Sequence, residues 1–178
     1  MTEGLTVWMT GLSGAGKSTV AVGLAERLRG IGKSPIILDG DILRTGLNSD
    51  LGFSEADRNE SVRRTGEVAL LLNGLGGHIV ISSLISPLRA ARDAVRARHD
   101  LAGVGFIEVH IAASLEVCES RDTKELYAKA RRGEVAEMTG ISSPYEAPTS
   151  AEVVLETGTQ SIAETLHQLE GYVLDLLR

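Results

Sequence analysis

Gly11-Leu12-Ser13-Gly14-Ala15-Gly16-Lys17-Ser18 satisfies G-x-x-x-x-G-K-[ST] at every fixed position. Glycines at this spacing let successive backbone N–H groups curl around phosphate oxygens, and a helix that starts there adds positive potential. In that frame Lys17 reaches the β- and γ-phosphates of a nucleoside triphosphate, the Ser18 hydroxyl is placed for Mg²⁺, and Thr19 contacts the α-phosphate. A second group follows in Leu38-Asp39-Gly40-Asp41-Ile42-Leu43-Arg44. Asp39 and Asp41, at the end of a predicted strand, suit Mg²⁺-bound water and deprotonation of an acceptor hydroxyl, which are the needs of phosphoryl transfer. A GTPase would carry [NT]-K-x-D to read guanine, but Thr123-Lys124-Glu125-Leu126 has Leu126 where the aspartate belongs. The length of 178 residues excludes a large ATPase motor. These groups imply a kinase that uses ATP and Mg²⁺ on a small-molecule acceptor.

The elements that must position these groups are legible as alternating strands and helices. Leu5–Thr10 is a short apolar run that reads as a buried strand. Helical spacing of Val20, Val22, Leu24, Ala25 and Leu28 predicts a helix from Ser18, stopped by Gly30 and Gly32. Further strands are expected at Ser34–Leu38, Ile79–Leu84, Val104–Ile111 and Val153–Leu155, with turns and loop from Asp39 to Asp57. Helices are expected over residues 58–75, from Pro87 to about His99, from Ser114 to about Arg121, and from Ser161 onward. The Pro87 start makes Ser86 the expected N-cap of its helix. Strands alternating with helices imply an α/β fold of the P-loop NTPase type, with three layers and a mostly parallel sheet covered by helices on both faces. No linker or repeat interrupts it, so residues 1–178 read as one domain.

Composition narrows the function classes. Eighteen basic against 24 acidic side chains give a net charge of −6, which argues against broad binding to nucleic acid or to an anionic membrane. One cysteine, Cys118, excludes a disulfide framework, and the four histidines lack ligand spacing for a metal. Met1-Thr2-Glu3 has no basic lead-in, and the uncharged stretch 68–88 is broken by glycines, serines and Pro87, so a cytoplasmic protein is expected. Aromatics make up only 3% of the chain, so the core must be aliphatic.

Motifs beyond the phosphate loop resemble the adenylylsulfate (APS) kinase family. They include Asp39-Gly40-Asp41 with Arg44, the run Gly46 to Ser54, Asp57-Arg58, Ile85-Ser86-Pro87 with Arg89, Arg121-Asp122, Leu126-Tyr127 and Pro144 to Pro148. The resemblance implies phosphorylation of the APS 3′-hydroxyl to give PAPS. It implies that Asp41 orients or deprotonates that hydroxyl, that Asp39 lies near Mg²⁺, and that Arg44 and Arg58 grip the phosphosulfate. By the same resemblance Phe53 stacks on the acceptor's adenine, and Ile85 and Ser86 form an acceptor-side turn, Ser86 matching a phosphoserine position. Residues 121–135 match a lid, in which Arg121, Lys124 and Arg131 face ATP, and the family suggests a homodimer.

The chain departs from that pattern chiefly on the acceptor side. Ile42 and Ser61, the latter an acceptor contact, stand where the family usually has Asn. Leu84 replaces Phe, Leu88 replaces an aromatic, and Met138 replaces the second stacking Phe. Met can still pack on a base through its polarizable sulfur. The competing expectations are a diverged kinase acting on a hydroxyl or amine of another metabolite or peptide, and a nucleotide-sensing module without transfer. The retained Asp39, Asp41, Arg44 and Arg58 speak against the module.

Overall fold

The computed structural model describes residues 4–122 and 124–178. The lead-in reading of residues 1–3, and Thr123 of the lid, lie outside the described residues. In chain order the elements are β1 (Leu5–Thr10), α1 (Lys17–Gly30), β2 (Ile36–Asp39), α2 (Gly40–Leu43), α3 (Glu55–Gly74), β3 (Ile79–Ser83), α4 (Arg89–Ala102), β4 (Gly105–Ala112), α5 (Leu115–Arg121), α6 (Leu126–Arg131), β5 (Val153–Glu156) and α7 (Ile162–Leu176). The strands form one sheet in the order β2-β3-β1-β4-β5, parallel throughout.

Strand periodicity explains why both faces are covered. Leu5, Val7 and Met9 point to one face, into a cluster with Leu24 and Leu28 of α1 and Leu169 and Val173 of α7. Trp8 points to the other face, among Val62 of α3, Val95 of α4 and Phe106 of β4. Truncating one such buried leucine to alanine typically costs about 2–5 kcal/mol. β1 is central, with Val7 beside Ile81 on one side and Ile107 on the other. Strand order therefore reverses at β1, and a ligand crevice opens beyond the carboxyl ends of such strands.

Boundaries differ from expectation where tertiary contacts override local signals. The stretch from Asp39 to Asp57 is not all loop. Asp39 accepts the Asp41 N–H at 2.9 Å and caps the single turn α2, while Ser54 caps α3 three residues earlier than the periodicity suggests. α6 forms within the charged run, its first amides held by both Asp122 carboxylate oxygens. Ser161 caps α7 through a reciprocal box with Glu164, as its sequence predicts. Residues 68–88 divide among the end of α3, β3 and the turns that follow each, and no helix among the described residues is long and apolar enough to cross a membrane.

His99 ties α4 to the lower end of the sheet. Its Nδ1 donates to the Val95 carbonyl at 2.9 Å, and its Nε2 faces the Thr6 hydroxyl at 3.0 Å. Burial lowers its pKa below the usual 6.5, with the Val95 bond acting in the opposite sense. A base whose folded pKa is depressed takes up protons first in the unfolded chain, so stability is retained above pH 6.5 and lost as pH falls below it. The expected result is a melting temperature that declines from pH 7 to pH 5, with a flatter decline in His99→Asn. Equal slopes in the two proteins would show that this group does not carry the acid sensitivity.

Candidate active site

The phosphate loop forms because its glycines occupy conformations closed to other residues. Gly11 has φ 152°, and a Cβ there would meet the Ile111 carbonyl at 2.5 Å. Gly16, at φ 106°, is the N-cap of α1 and supplies no side chain to its first amides. Those amides are free to face an anion, and the helix places no acidic residue in its first turn.

Lys17 opens that helix and folds back over the loop. Its ammonium donates to the carbonyls of Gly11 at 2.9 Å and Leu12 at 2.8 Å. Burial lowers its pKa to about 8, against the opposing pull of the carboxylates of Asp41 and Asp39. A cation held by two neutral carbonyls is poised to exchange them for phosphate oxygens. The Ser18 hydroxyl donates to Asp39 Oδ2 at 2.7 Å, which joins the ends of the loop and of β2. A hydroxyl and a carboxylate oxygen side by side suit a hard cation that keeps most of its water, so this pair fits Mg²⁺.

Asp41, one residue into α2, is exposed and ion-paired with Lys124, which reaches over from the far wall. Around the corner Arg44 and Arg58 flank Phe53, their guanidinium carbons 4.2 and 5.5 Å from its ring centre. Arg44 donates to the Leu51 and Gly52 carbonyls, and Arg58 to those of Phe53 and Glu137. Among the described residues neither has a carboxylate partner. Burial lowers both pKa values from the usual arginine range, and the charge of Arg44 lowers Arg58 further. The result is concentrated positive charge beside an exposed aromatic face. Ser61, buried, accepts from Asn48 Nδ2 at 3.0 Å and so keeps its own hydrogen to donate.

Ser86 corrects the sequence expectation. Leu88, not Ser86, is the N-cap of α4, and Pro87 lies ahead of the helix rather than in its first turn. Ser86 is 2% exposed with φ 39°, a left-handed conformation, and its Oγ accepts the Trp8 indole N–H at 3.2 Å. A conformation costing about 1–3 kcal/mol persists only where surrounding contacts impose it.

Most of these groups line one cavity of about 840 Å³. It gathers residues 13–19, Asp39, Asp41, Arg44, Phe53, Arg58, Ser61, Ile85, Ser86 and Met138, together with Arg121 and Lys124. Met138 is 5% exposed and packs into the main core, so it forms floor rather than a free flap. Arg121 donates to the Gly14, Ala15 and Thr157 carbonyls, which fixes it against the phosphate loop. Two expected members do not line the cavity: Gly11 sits beneath the loop, and Arg131 pairs with Glu119 at 2.6 Å. Thr157, Gln160, Ile162 and Thr165, which sequence reading passed over, form a further wall. Their one available signal was position, just beyond the carboxyl end of β5. Tyr127 of α6 is buried and donates to the Ser13 carbonyl at 2.9 Å, while Cys118 is a buried core residue as its apolar setting suggests.

A parallel sheet with a phosphate loop after its central strand, two carboxylates after the next strand in sequence and an arginine-lined second compartment defines a kinase of the P-loop type. The sequence matches the adenylylsulphate kinase family over residues 3–156, and the chain belongs to that family. It is 49% identical over 176 residues to an adenylyl-sulfate kinase of Paraburkholderia xenovorans, covering 99% of this chain and 96% of that one. The structure of the Mycobacterium tuberculosis APS kinase in complex with AMPPNP and APS superposes with a TM-score of 0.91 at 48% identity, covering 99% of each chain. A hexameric APS kinase from Thiobacillus denitrificans gives a TM-score of 0.74 at 36% identity, with 98% of this chain matched to 29% of that one.

Proposed function

We propose that the protein transfers the γ-phosphoryl group of ATP to the 3′-hydroxyl of APS, giving PAPS and ADP. The observation that carries this reading is one cavity lined by an anion-binding helix start, by an arginine pair around an aromatic ring, and by Asp41. Relatives of about half-identical sequence bear the matching name. The backbone of residues 13–16 cradles the triphosphate, and Lys17 draws the charge that builds on the leaving β–γ oxygen. Asp41 accepts the proton of the 3′-hydroxyl as its oxygen bonds to phosphorus. Arg44 and Arg58 hold the phosphosulfate, and Phe53 stacks on the acceptor base while Ser61, Ile85, Ser86 and Met138 shape the pocket around it. Ser18 and Asp39 would hold Mg²⁺, which supplies charge neutralisation between the phosphates when bound. Residues 121–135 serve as a lid, with Arg121 and Lys124 over the nucleotide. The reading takes residues 1–178 as one domain that associates with copies of itself.

The experiment is ADP release from purified protein with saturating ATP·Mg²⁺, with and without APS. No APS-dependent ADP would sink the proposal. Ser61, Leu84 and Met138 line the acceptor side and differ from the residues the family usually carries there, which favours a changed acceptor as the second reading. Strong turnover of another hydroxyl or amine compound with negligible APS turnover would put it first. Stacking on an aromatic is worth about 1–3 kcal/mol per base, so Phe53→Ala is expected to raise the APS KM on the order of tenfold to a hundredfold. The KM for ATP should hold, and a rise in both would remove Phe53 from the acceptor side.

A further inference from the structure

Arg92, on the first turn of α4, is 1% exposed, and all its guanidinium nitrogens are engaged. Nε donates to Glu108 Oε1 at 2.5 Å, Nη1 to the Ser86 carbonyl at 2.8 Å, and Nη2 to the Glu146 carbonyl at 2.8 Å. Only the first partner carries charge. The other two are backbone atoms of separate segments, and one belongs to the left-handed Ser86 at the cavity wall. The Thr10 hydroxyl holds the neighbouring Ile85 carbonyl at 2.7 Å, and Trp8 holds Ser86 Oγ. The Glu146 segment is strapped across the same turn, since its N–H donates to the Pro87 carbonyl at 2.8 Å and its carboxylate accepts the Arg89 N–H at 2.7 Å. A planar guanidinium can brace two carbonyls and a carboxylate at fixed angles, which a lysine cannot.

We propose that Arg92 is a positioning residue for the acceptor: anchored by Glu108, its fork imposes the Ile85–Ser86 turn and straps residue 146 onto it, setting acceptor affinity without contact to the nucleotide. The inference rests on the acceptor reading above for what that turn touches. Arg92→Lys keeps the charge opposite Glu108 but gives up the fork. It is expected to raise the APS KM on the order of tenfold while the ATP KM stays within about twofold, since small misplacements of a bound reactant are costly. Arg98→Lys is the control, because Arg98 is exposed on the same helix and forks Glu67 at 3.1 and 3.3 Å with no bond to the turn or to Glu108, and it should leave both KM values unchanged. Trp8 is the sole tryptophan and bonds to the turn itself, so its emission reports the turn directly. Arg92→Lys should shift that emission and Arg98→Lys should not.

Unchanged APS KM in Arg92→Lys, equal rises for both substrates, or an equal effect of Arg98→Lys would overturn the inference. Should Arg92→Lys fail to fold, Glu108→Gln carries the test, since it keeps the fork and loosens its anchor. A smaller split of the same kind supports the proposal, and no split overturns it. Absence of APS turnover in the unmodified protein would fail the functional reading alone. Trp8 emission then decides: a shift confined to Arg92→Lys supports the positioning role, and identical spectra reject it.

Discussion

Lys17→Ala is expected to lower the rate of phosphoryl transfer by roughly 10³-fold or more, the scale on which a lone cation at a transferring phosphoryl group acts. The fold should survive. The ammonium is bound by two carbonyls of its own loop, and burial, which lowers its pKa to about 8, already disfavours the charge there. A melting temperature near that of the unmodified protein beside a lost rate would separate chemistry from folding, and a rate within tenfold would refute the role. The same residue predicts a pH dependence of nucleotide binding. With a free pKa of about 8, Lys17 is mostly charged at pH 7. Phosphate stabilises the charged form and raises that pKa in the complex, so above pH 8 binding must take up a proton. Affinity should therefore fall as pH rises through 8, and calorimetry in buffers of different ionisation heat should register proton uptake there. The pH trend should vanish in Lys17→Ala.

Asp41→Asn is expected to slow transfer about 10²- to 10⁴-fold, the usual worth of a general base, with nucleotide affinity little changed. Asparagine fits the same space but takes no proton from the acceptor, and it also ends the ion pair with Lys124. That pair gives the substitution a second signature. Lys124, freed of its carboxylate, should hold the nucleotide at least as tightly as before. A variant that loses nucleotide affinity along with rate would instead place Asp41 in the triphosphate site.

What could be read in advance follows how locally each feature is determined. The phosphate loop was legible because its backbone at Gly11 and Gly16 admits little besides glycine, so conformation is written in residue type. Alternation was legible because Val7 and Trp8 need apolar partners on opposite faces of the sheet. Ser86 was misplaced because the signal of Pro87 is local, whereas the turn is imposed by Arg92, Trp8 and Thr10 from other elements. A charge run does not say which cations turn inward, so Arg131 and Lys124 looked alike until one met Glu119 and the other Asp41. The wall of Thr157, Gln160, Ile162 and Thr165 carries no distinctive chemistry, and only the direction of β5 assembles it.

The Thr157 hydroxyl donates to the Ala15 carbonyl at 2.7 Å, so the phosphate loop is buttressed by a residue 142 positions away. The central strand is no more local, since Leu5 lies beside Ile79 and Gly105. The finished cradle therefore depends on closing long loops, which slows folding. A ligand that recognises only the finished cradle stabilises it by mass action, by about 2.7 kcal/mol at a hundred times its Kd. Nucleotide is then a folding ligand as well as a reactant, and the fraction of newly made chains that withstand proteolysis should follow its concentration.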